Sequence, residues 1–324
     1  MRVVVLGAGA VGLGLGSFLL AAGERVAFVG RAATVAALRR EGLARSGRFG
    51  AYRAEPGTFA AVERLSDLPG AGFAAPDAVL VCVKSFDSEA TAAALAAAPF
   101  VLGDRTLVVV CQNGWGGADA FAGALGPARV YGARVITGFV RPTPARVEVT
   151  AHAEPVAVGS LFGAPPAAAE PLCAALRRGG LPAETTDRLS ELLVAKLLYN
   201  GCLNALGAIC GVPYGALGGS APARAVMRDV AQEIFRTLEG AGLRTRWPSA
   251  DAFLKSLYEE LLPPTSQHES STLQDLRAGR RTEIDAVNGA VVRLAEAHGL
   301  DVPVNRTLCE IVHLLEAKGA GGRG

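Results

Sequence analysis

The sequence predicts an α/β fold, with a doubly wound parallel sheet in its N-terminal part and an all-helical C-terminal domain. Short apolar runs alternate with helical patterns up to about residue 185, as in consecutive β-α-β units. From Thr186 onward, nearly every segment has helical periodicity instead. We therefore predict domains at residues 1–185 and 186–318, followed by a disordered tail at residues 319–324.

The composition limits the class of protein. Half of the 324 residues are hydrophobic, 19% are charged, and the formal net charge is +2. Such a chain can form large cores, and so small a charge gives no electrostatic basis for binding nucleic acid. The 6 cysteines form no CxxC pair and the 4 histidines do not cluster with them, so we expect no metal site. Free cysteines favour a reducing compartment, and we expect the cytoplasm.

Glycine is the unusual component, at 40 of 324 residues, or about 12% against a typical ~7%. Many glycines lie in the uncharged run Val3 to Gly23, which could be a signal peptide or a membrane span. Each glycine would weaken a continuous helix there by up to ~1 kcal/mol relative to alanine. We favour a strand at Arg2–Leu6, a turn, a helix from about Ala10 to Ala22, and a second strand at Arg25–Val29.

The turn in this run contains Gly7-Ala-Gly9-Ala-Val-Gly12, a G-x-G-x-x-G motif between a strand and a helix. Gly7 permits a tight turn, Gly9 lets the backbone approach a pyrophosphate, and Gly12 lets helix and strand pack closely. The motif in this context predicts a Rossmann-type dinucleotide site at the helix N-terminus.

The end of the second strand bears on which dinucleotide is bound. NAD enzymes usually have Asp or Glu there, to bind the ribose 2′-hydroxyl. This sequence has Gly30-Arg31 instead, and a guanidinium can bind a 2′-phosphate with two hydrogen bonds. The hypothesis is therefore a preference for NADPH. The alternative is that Arg31 is only the solvated first residue of the next helix.

Polar residues follow two further predicted strands, Ala78–Val83 and Thr106–Cys111. Ligands of open α/β sheets bind at the carboxyl ends of the strands. Lys84 could offer its charge to a phosphate or an acid, and Asn113 could form a hydrogen bond with a ribose or a substrate. Asn113-Gly114 is, alternatively, only a turn signal.

One helix of the C-terminal domain carries a polar stripe. Lys196, Asn200 and Asn204 are spaced i, i+4, i+8, so they fall within about 80° of arc on an otherwise apolar helix. Buried polar groups need partners. We interpret the stripe as facing a substrate, with Lys196 as the proton donor; an exposed helix face is the alternative.

Two segments further along have both structural and functional interpretations. Ser271-Thr-Leu-Gln274 has the form of a capping box, so Ser271 either caps a helix or binds a ligand at the helix N-terminus. Thr282-Glu283-Ile-Asp285 opens another predicted helix. Acidic residues there are favoured by the helix dipole alone, which is the structural interpretation of Glu283.

Taken in order, these motifs resemble the ketopantoate reductase family. The matching stretches run from residue 7 to residue 289. The Lys-x₃-Asn-x₃-Asn helix and the Ser…Thr-Glu-Ile-Asp segment are more specific than the glycine loop. The resemblance implies a Rossmann-type domain followed by a helical domain, with NADPH as cofactor. It also implies the reduction of 2-dehydropantoate to pantoate, a step toward coenzyme A.

The resemblance implies a role for each candidate residue. Lys196 would be the general acid that protonates the ketone oxygen, and Glu283 would fix the active site through Lys196 or the substrate. The remaining roles are these: substrate binding by Asn200, Asn204 and Ser271; bridging of cofactor and substrate by Asn113; and cofactor binding by Gly7, Gly9, Gly12, Arg31 and Lys84.

Other functions remain as alternatives. One is a related enzyme acting on another small 2-oxo or 3-hydroxy acid, and another is a sensor that binds NADPH without turnover. Lys196 and Glu283 argue against the sensor, because a sensor needs no proton donor. We expect a small 2-oxo acid as the binding partner, without nucleic acid or membrane. The oligomeric state is left open, a homodimer included.

Overall fold

The structure, a computed structural model, describes residues 1–321 and the side chains of residues 1–319. The chain divides into two compact units. The first contains Met1–Gln112 and Gly117–Leu189, and the second contains Asn113–Gly116 and the chain from Ser190 onward. The sequence gives no indication that the short segment Asn113–Gly116 belongs with the C-terminal helices.

The first unit contains two sheets and the helices that cover them. Its strands are β1 (Arg2–Leu6), β2 (Arg25–Val29), β3 (Leu43–Gly47), β4 (Tyr52–Ala54), β5 (Ala60–Val62), β6 (Ala78–Val81), β7 (Leu107–Val110), β8 (Val130–Arg134), β9 (Thr137–Thr143), β10 (Arg146–His152), β11 (Val156–Gly159) and β12 (Ala183–Thr185). Its helices are α1 (Ala10–Ala21), α2 (Ala32–Glu41), α3 (Ser88–Ala96), α4 (Gly117–Leu125) and α5 (Glu170–Arg178).

The larger sheet has the strand order β12-β11-β8-β7-β6-β1-β2-β5. Neighbouring strands from β8 to β5 are all parallel, whereas β11 is antiparallel to β8 and parallel to β12. Leu6 is in register with both Val29 and Val81, so β1, β2 and β6 end at one edge of the sheet. This arrangement confirms the predicted Rossmann-type, mainly parallel sheet.

The smaller sheet, with the order β4-β3-β10-β9, is absent from the sequence prediction. Arg45 of β3 joins it to α1, because its buried guanidinium lies 3.7 Å from the centroid of the Phe18 ring. Its Nη1 also donates to Ser17 Oγ at 3.3 Å. Desolvation lowers the pKa of Arg45 from its ordinary value. The stacking of the Arg45 guanidinium on the Phe18 ring thus connects the smaller sheet to α1, a contact that no local sequence pattern predicts.

Helix α1 explains part of the glycine excess. A Cβ on Gly12 would lie 2.1 Å from the carbonyl oxygen of Gly7, so helix and loop can approach this closely only without it. A Cβ on Gly14 or Gly16 would lie 2.4 Å from the ring of Phe139 or Phe28, respectively. The N-terminal apolar run is therefore a strand, a turn and a tightly packed helix, as predicted.

The second unit is helical, as predicted. Its helices are α6 (Leu189–Cys210), α7 (Tyr214–Gly219), α8 (Ala221–Gly240), α9 (Ala250–Ser256), α10 (Ser271–Arg277), α11 (Asn288–Glu296) and α12 (Pro303–Gly321). Within residues 1–321, α6 alone is long and apolar enough to cross a membrane. Most of it is buried, and Leu197, Leu198 and Leu203 pack in the hydrophobic core of this unit, as expected of a core helix.

Two predictions for this unit are wrong in detail. The helix expected from Glu283 is interrupted, because Val287 leaves the helical conformation (φ −105°, ψ −91°) and α11 begins only at Asn288. The tail expected to be disordered from Gly319 is helical as far as Gly321. A formed helix extends at low cost, and each glycine opposes it by only ~1 kcal/mol. Residues 322–324 of that predicted tail lie outside the described residues.

The cysteines within the described chain are all free. Burial raises the pKa of the Cys173 and Cys309 thiols to about 12, so both remain protonated at neutral pH. Among residues 1–321, no group of three or more His, Cys, Asp or Glu side chains is placed to hold a metal ion.

The packing of α1 predicts the effect of two matched substitutions. Gly12→Ala should lower the free energy of unfolding by about 2–4 kcal/mol, because its Cβ overlaps a backbone oxygen that cannot move freely. Gly9→Ala is the control, since a Cβ there meets nothing within 4 Å and should cost less than about 1 kcal/mol. Chemical denaturation of both variants measures the difference, and equal losses would contradict this account of the packing.

Candidate functional site

The glycine loop of the first unit has the geometry of a dinucleotide-binding turn. Gly7 has φ +99°, and a Cβ on it would lie 2.6 Å from the backbone carbon of Cys82. Gly9 is the N-cap of α1, and the space where its Cβ would lie is open. The first turn of α1 carries no acidic residue. A partly buried helix N-terminus with open space beside Gly9 fits a pyrophosphate.

Two arginines lie beside this loop. Arg31 is the exposed N-cap residue of α2, and its carbonyl oxygen accepts a hydrogen bond from Thr34 N at 2.9 Å. Arg141, from β9 of the smaller sheet, donates from Nη1 to Ala8 O at 3.3 Å and to Thr34 Oγ1 at 3.1 Å. Arg141 was not predicted from the sequence, because only the smaller sheet, itself not predicted, brings β9 to the loop.

Lys84 lies where the sequence places it, just beyond the carboxyl end of β6. It is half-buried and precedes a short 3₁₀ helix, Ser85–Asp87. The carbonyl oxygens of Val83 and Lys84 accept hydrogen bonds from Gln112 Nε2 at 3.1 and 3.3 Å. Gln112 therefore ties together the chain beyond β6 and the chain beyond β7.

In the second unit, Lys196 and Asn113 are in direct contact. Lys196 Nζ donates to Asn113 Oδ1 at 2.7 Å, and both side chains are half-buried. The segment Asn113–Gly116 is held by a hydrogen bond from Trp115 N to Ala286 O at 3.0 Å. Gly114 has φ +93°, and a Cβ on it would lie 2.0 Å from Ala286 O. Gly114 thus permits both the turn and the close approach that positions Asn113.

Glu283 lies in the same turn as Ala286 and is half-buried. It precedes a 3₁₀ helix, Ile284–Ala286, rather than opening an α-helix. Helix α12 holds the turn on both sides of Glu283: Thr282 N donates to Glu316 Oε1 at 2.6 Å, and Asp285 Oδ1 lies 3.0 Å from His313 Nε2. The structure therefore brings Asn113 into contact with Lys196 and docks its segment on the turn that carries Glu283.

The polar stripe lies on one uninterrupted helix, because α6 spans all three of its members. Asn200 is half-buried, one turn beyond Lys196. Asn204 is only 6% exposed, and its Oδ1 accepts a hydrogen bond from Tyr214 Oη at 2.6 Å. Tyr214 begins α7, whose N-cap is Pro213, and a helix of only 6 residues leaves no clear periodicity in the sequence.

Two family models match the chain: Ketopantoate reductase PanE/ApbA at residues 3–162, and Ketopantoate reductase PanE/ApbA C terminal at residues 188–316. A 2-dehydropantoate 2-reductase of Aquifex aeolicus is 32% identical over 317 residues, covering 98% of this chain and 97% of that protein. The chain belongs to the ketopantoate reductase family. It is therefore an oxidoreductase, and the resemblance carried by its motifs is confirmed.

Solved structures agree with this membership. The PanE/ApbA family ketopantoate reductase of Ralstonia eutropha JMP134 is 32% identical, with a TM-score of 0.84 and coverage of 99% of this chain and 100% of that one. D-mandelate dehydrogenase, solved with NADH and anilino(oxo)acetate, has a TM-score of 0.87 at 23% identity, covering 99% of this chain and 100% of its own. At that identity the second comparison shows the fold alone.

One capping assignment for this ketopantoate reductase family member is wrong. Ser270, not Ser271, is the N-cap of α10: its Oγ accepts from Leu273 N at 3.0 Å and donates to Asn204 O at 3.2 Å. Ser270 has the extended backbone of an N-cap, whereas Ser271 is already helical and is exposed. The role of Ser271 in substrate binding stays a prediction.

Proposed function

We propose that this protein reduces 2-dehydropantoate to pantoate with NADPH, a step toward coenzyme A, and that Lys196 is the general acid. The observation that carries the proposal is the 2.7 Å hydrogen bond from Lys196 Nζ to Asn113 Oδ1. It holds an amine at a fixed position beside the turn of Glu283. Membership of the family and the name of the Aquifex aeolicus relative support this substrate.

The cofactor would be held by residues of the first unit. Gly7, Gly9 and Gly12 leave the backbone open at the N-terminus of α1, where a pyrophosphate would bind. Arg31 would bind the 2′-phosphate, and Lys84 would add a second positive charge at the carboxyl edge of the sheet. A reduced nicotinamide bound there supplies the hydride.

Lys196 would act on the ketone oxygen, where negative charge develops as the carbonyl is reduced. An ammonium group within about 3 Å of that oxygen both stabilises the charge and donates the proton. An ammonium group can only donate, and Asn113 Oδ1 accepts one of its hydrogens and would thereby orient the group. Glu283 would help fix the active site, through Lys196 or through the substrate.

The substrate's hydroxyl and carboxylate would be held by neutral polar groups, namely Asn200, Asn204 and Ser271. Such a pocket discriminates by hydrogen bonds, since a ligand that lacks one leaves a buried group unpaired. We place the enzyme in the cytoplasm, as its free cysteines suggest.

The substrate assignment is tested by following NADPH oxidation with 2-dehydropantoate beside a panel of other small 2-oxo acids. We expect the highest kcat/KM for 2-dehydropantoate. Turnover of a different acid, without turnover of 2-dehydropantoate, would reject the substrate and keep the reaction class. Binding of NADPH without oxidation by any acid would instead indicate a sensor.

Arg31→Asp tests the cofactor preference. The substitution replaces a guanidinium by a charge that repels a 2′-phosphate, so the KM for NADPH should rise about 10- to 100-fold, as for the loss of a charged hydrogen bond. The KM for NADH should change little. Arg40→Asp, at the exposed last turn of α2, makes the same change of net charge and is the control. Equal effects of Arg31→Asp on the two cofactors would reject the role.

Lys196→Ala tests the general acid. Loss of a positioned proton donor should lower kcat by about 10²–10⁴ while the KM for NADPH is retained. Lys255→Ala removes an exposed lysine of α9 and should leave kcat unchanged. Single-turnover measurement of hydride transfer separates the chemical step from product release. A rate close to that of the unmodified enzyme would refute the assignment.

A further inference from the structure

Tyr214 holds the side chain of Asn204 in one orientation. The phenol donates to Asn204 Oδ1 at 2.6 Å, and the two residues are 3% and 6% exposed, respectively. The phenol is itself fixed by two neighbouring rings. Its ring lies edge-on to that of Tyr199, with the centroids 5.8 Å apart, and its centroid lies 5.2 Å from that of the His268 ring. Its backbone N donates to His268 O at 3.0 Å.

The direction of this hydrogen bond decides which atom of Asn204 remains for a ligand. Desolvation raises the pKa of Tyr214, so its hydroxyl keeps its proton at neutral pH and acts as a donor. The amide oxygen of Asn204 is thereby occupied, and the backbone oxygen of Asn204 accepts from Ser270 Oγ at 3.2 Å. What Asn204 has left to offer a ligand is therefore the Nδ2 group, a hydrogen-bond donor.

The side-chain amide of Asn113 has the same orientation, with its oxygen occupied by a donor from the protein. An ammonium group can only donate, so the 2.7 Å contact with Lys196 must be made by Asn113 Oδ1. The amide of Asn113 likewise keeps its Nδ2 as a donor. With the ammonium of Lys196, both ends of the site offer donors, a set complementary to the carboxylate and ketone oxygens of a 2-oxo acid.

We propose that Tyr214 is a specificity-determining positioning residue, which orients Asn204 so that Nδ2 donates to an acceptor oxygen of the 2-oxo acid. This inference rests on the proposed function, in which Asn204 contacts the substrate. The phenol would act only through Asn204 and would not touch the reacting atoms.

Tyr214→Phe tests the proposal against a matched control. The variant keeps the ring and removes the hydroxyl, so the KM of the 2-oxo acid should rise about 5- to 10-fold, the worth of one hydrogen bond, with kcat within about twofold. Tyr199→Phe removes a phenol hydroxyl that makes an equally short 2.6 Å hydrogen bond, to Thr265 Oγ1 rather than to a site residue. It should leave the KM unchanged.

Three further variants, each changed at Asn204, separate positioning from a merely structural role. In an Asn204→Ala background, Tyr214→Phe should raise the KM no further, because its effect passes through the amide. Asn204→Asp should raise the KM more than Asn204→Ala does, since its second oxygen would present negative charge to the substrate. Calorimetric titration of 2-dehydropantoate into each variant gives a dissociation constant that does not depend on turnover, and thermal unfolding midpoints show whether each variant folds.

Several results would overturn the proposal. Equal KM increases in Tyr214→Phe and Tyr199→Phe would show that removing either hydroxyl disturbs the packing of the aromatic rings, and that Tyr214 has no specific effect on Asn204. A further KM increase from Tyr214→Phe in the Asn204→Ala background would show that the phenol acts by another route. An unchanged KM in Asn204→Ala, with turnover intact, would reject this inference but not the reductase activity. Absence of turnover with any 2-oxo acid in the unmodified enzyme would reject both.

Discussion

The first unit depends on the close approach of α1 to its neighbours, which is possible only because three of its residues have no Cβ. Gly12 lies against the glycine loop, Gly14 against Phe139 of the smaller sheet, and Gly16 against Phe28 of the larger one. Glycine lowers intrinsic helix stability by up to about 1 kcal/mol per residue, and the close packing of the buried Phe28 ring and the partly buried Phe139 ring offsets that cost. The same packing that joins the two sheets also fixes the N-terminus of α1, where a cofactor phosphate would bind.

The second unit positions α6 by a buried chain of hydrogen bonds behind the polar stripe. Asn288 Nδ2 donates to Gly201 O at 3.0 Å and to Asn305 Oδ1 at 2.9 Å. Asn305 Nδ2 in turn donates to Glu233 Oε2 at 2.8 Å, and Glu233 also accepts from the backbone of the first turn of α12. A chain of this kind specifies one rotation of a helix that apolar packing alone would leave less well defined. The orientation of Lys196 therefore depends on residues that would contact neither substrate nor cofactor.

Local patterns in the sequence predict much of this molecule. The strand, glycine turn and helix at the N-terminus, the parallel strands and the helix of Lys196 each follow from spacing within about twenty residues. Features that arise from contacts between distant segments were missed, such as the smaller sheet, Arg141 and Tyr214. The choice between Ser270 and Ser271 failed for a different reason, since neighbouring serines differ as N-caps only in backbone conformation, which sequence does not specify to one residue.

The segment Asn113–Gly116 shows most clearly why the site could be predicted only in part. Sequence placed Asn113 correctly, just beyond a parallel strand, but its side chain bonds to a lysine 83 residues later. The contact requires Gly114, because any Cβ there would overlap Ala286 O, which belongs to the turn of Glu283. Gly114 is therefore required both for the turn and for the close approach to Ala286. The Asn-Gly sequence predicts the turn but does not reveal the tertiary contact. A C-terminal domain defined by helical periodicity would begin near residue 186 and would omit the acceptor that orients Lys196. The proposed general acid, Lys196, is thus oriented by Asn113, which precedes the predicted C-terminal domain by more than 70 residues in the chain.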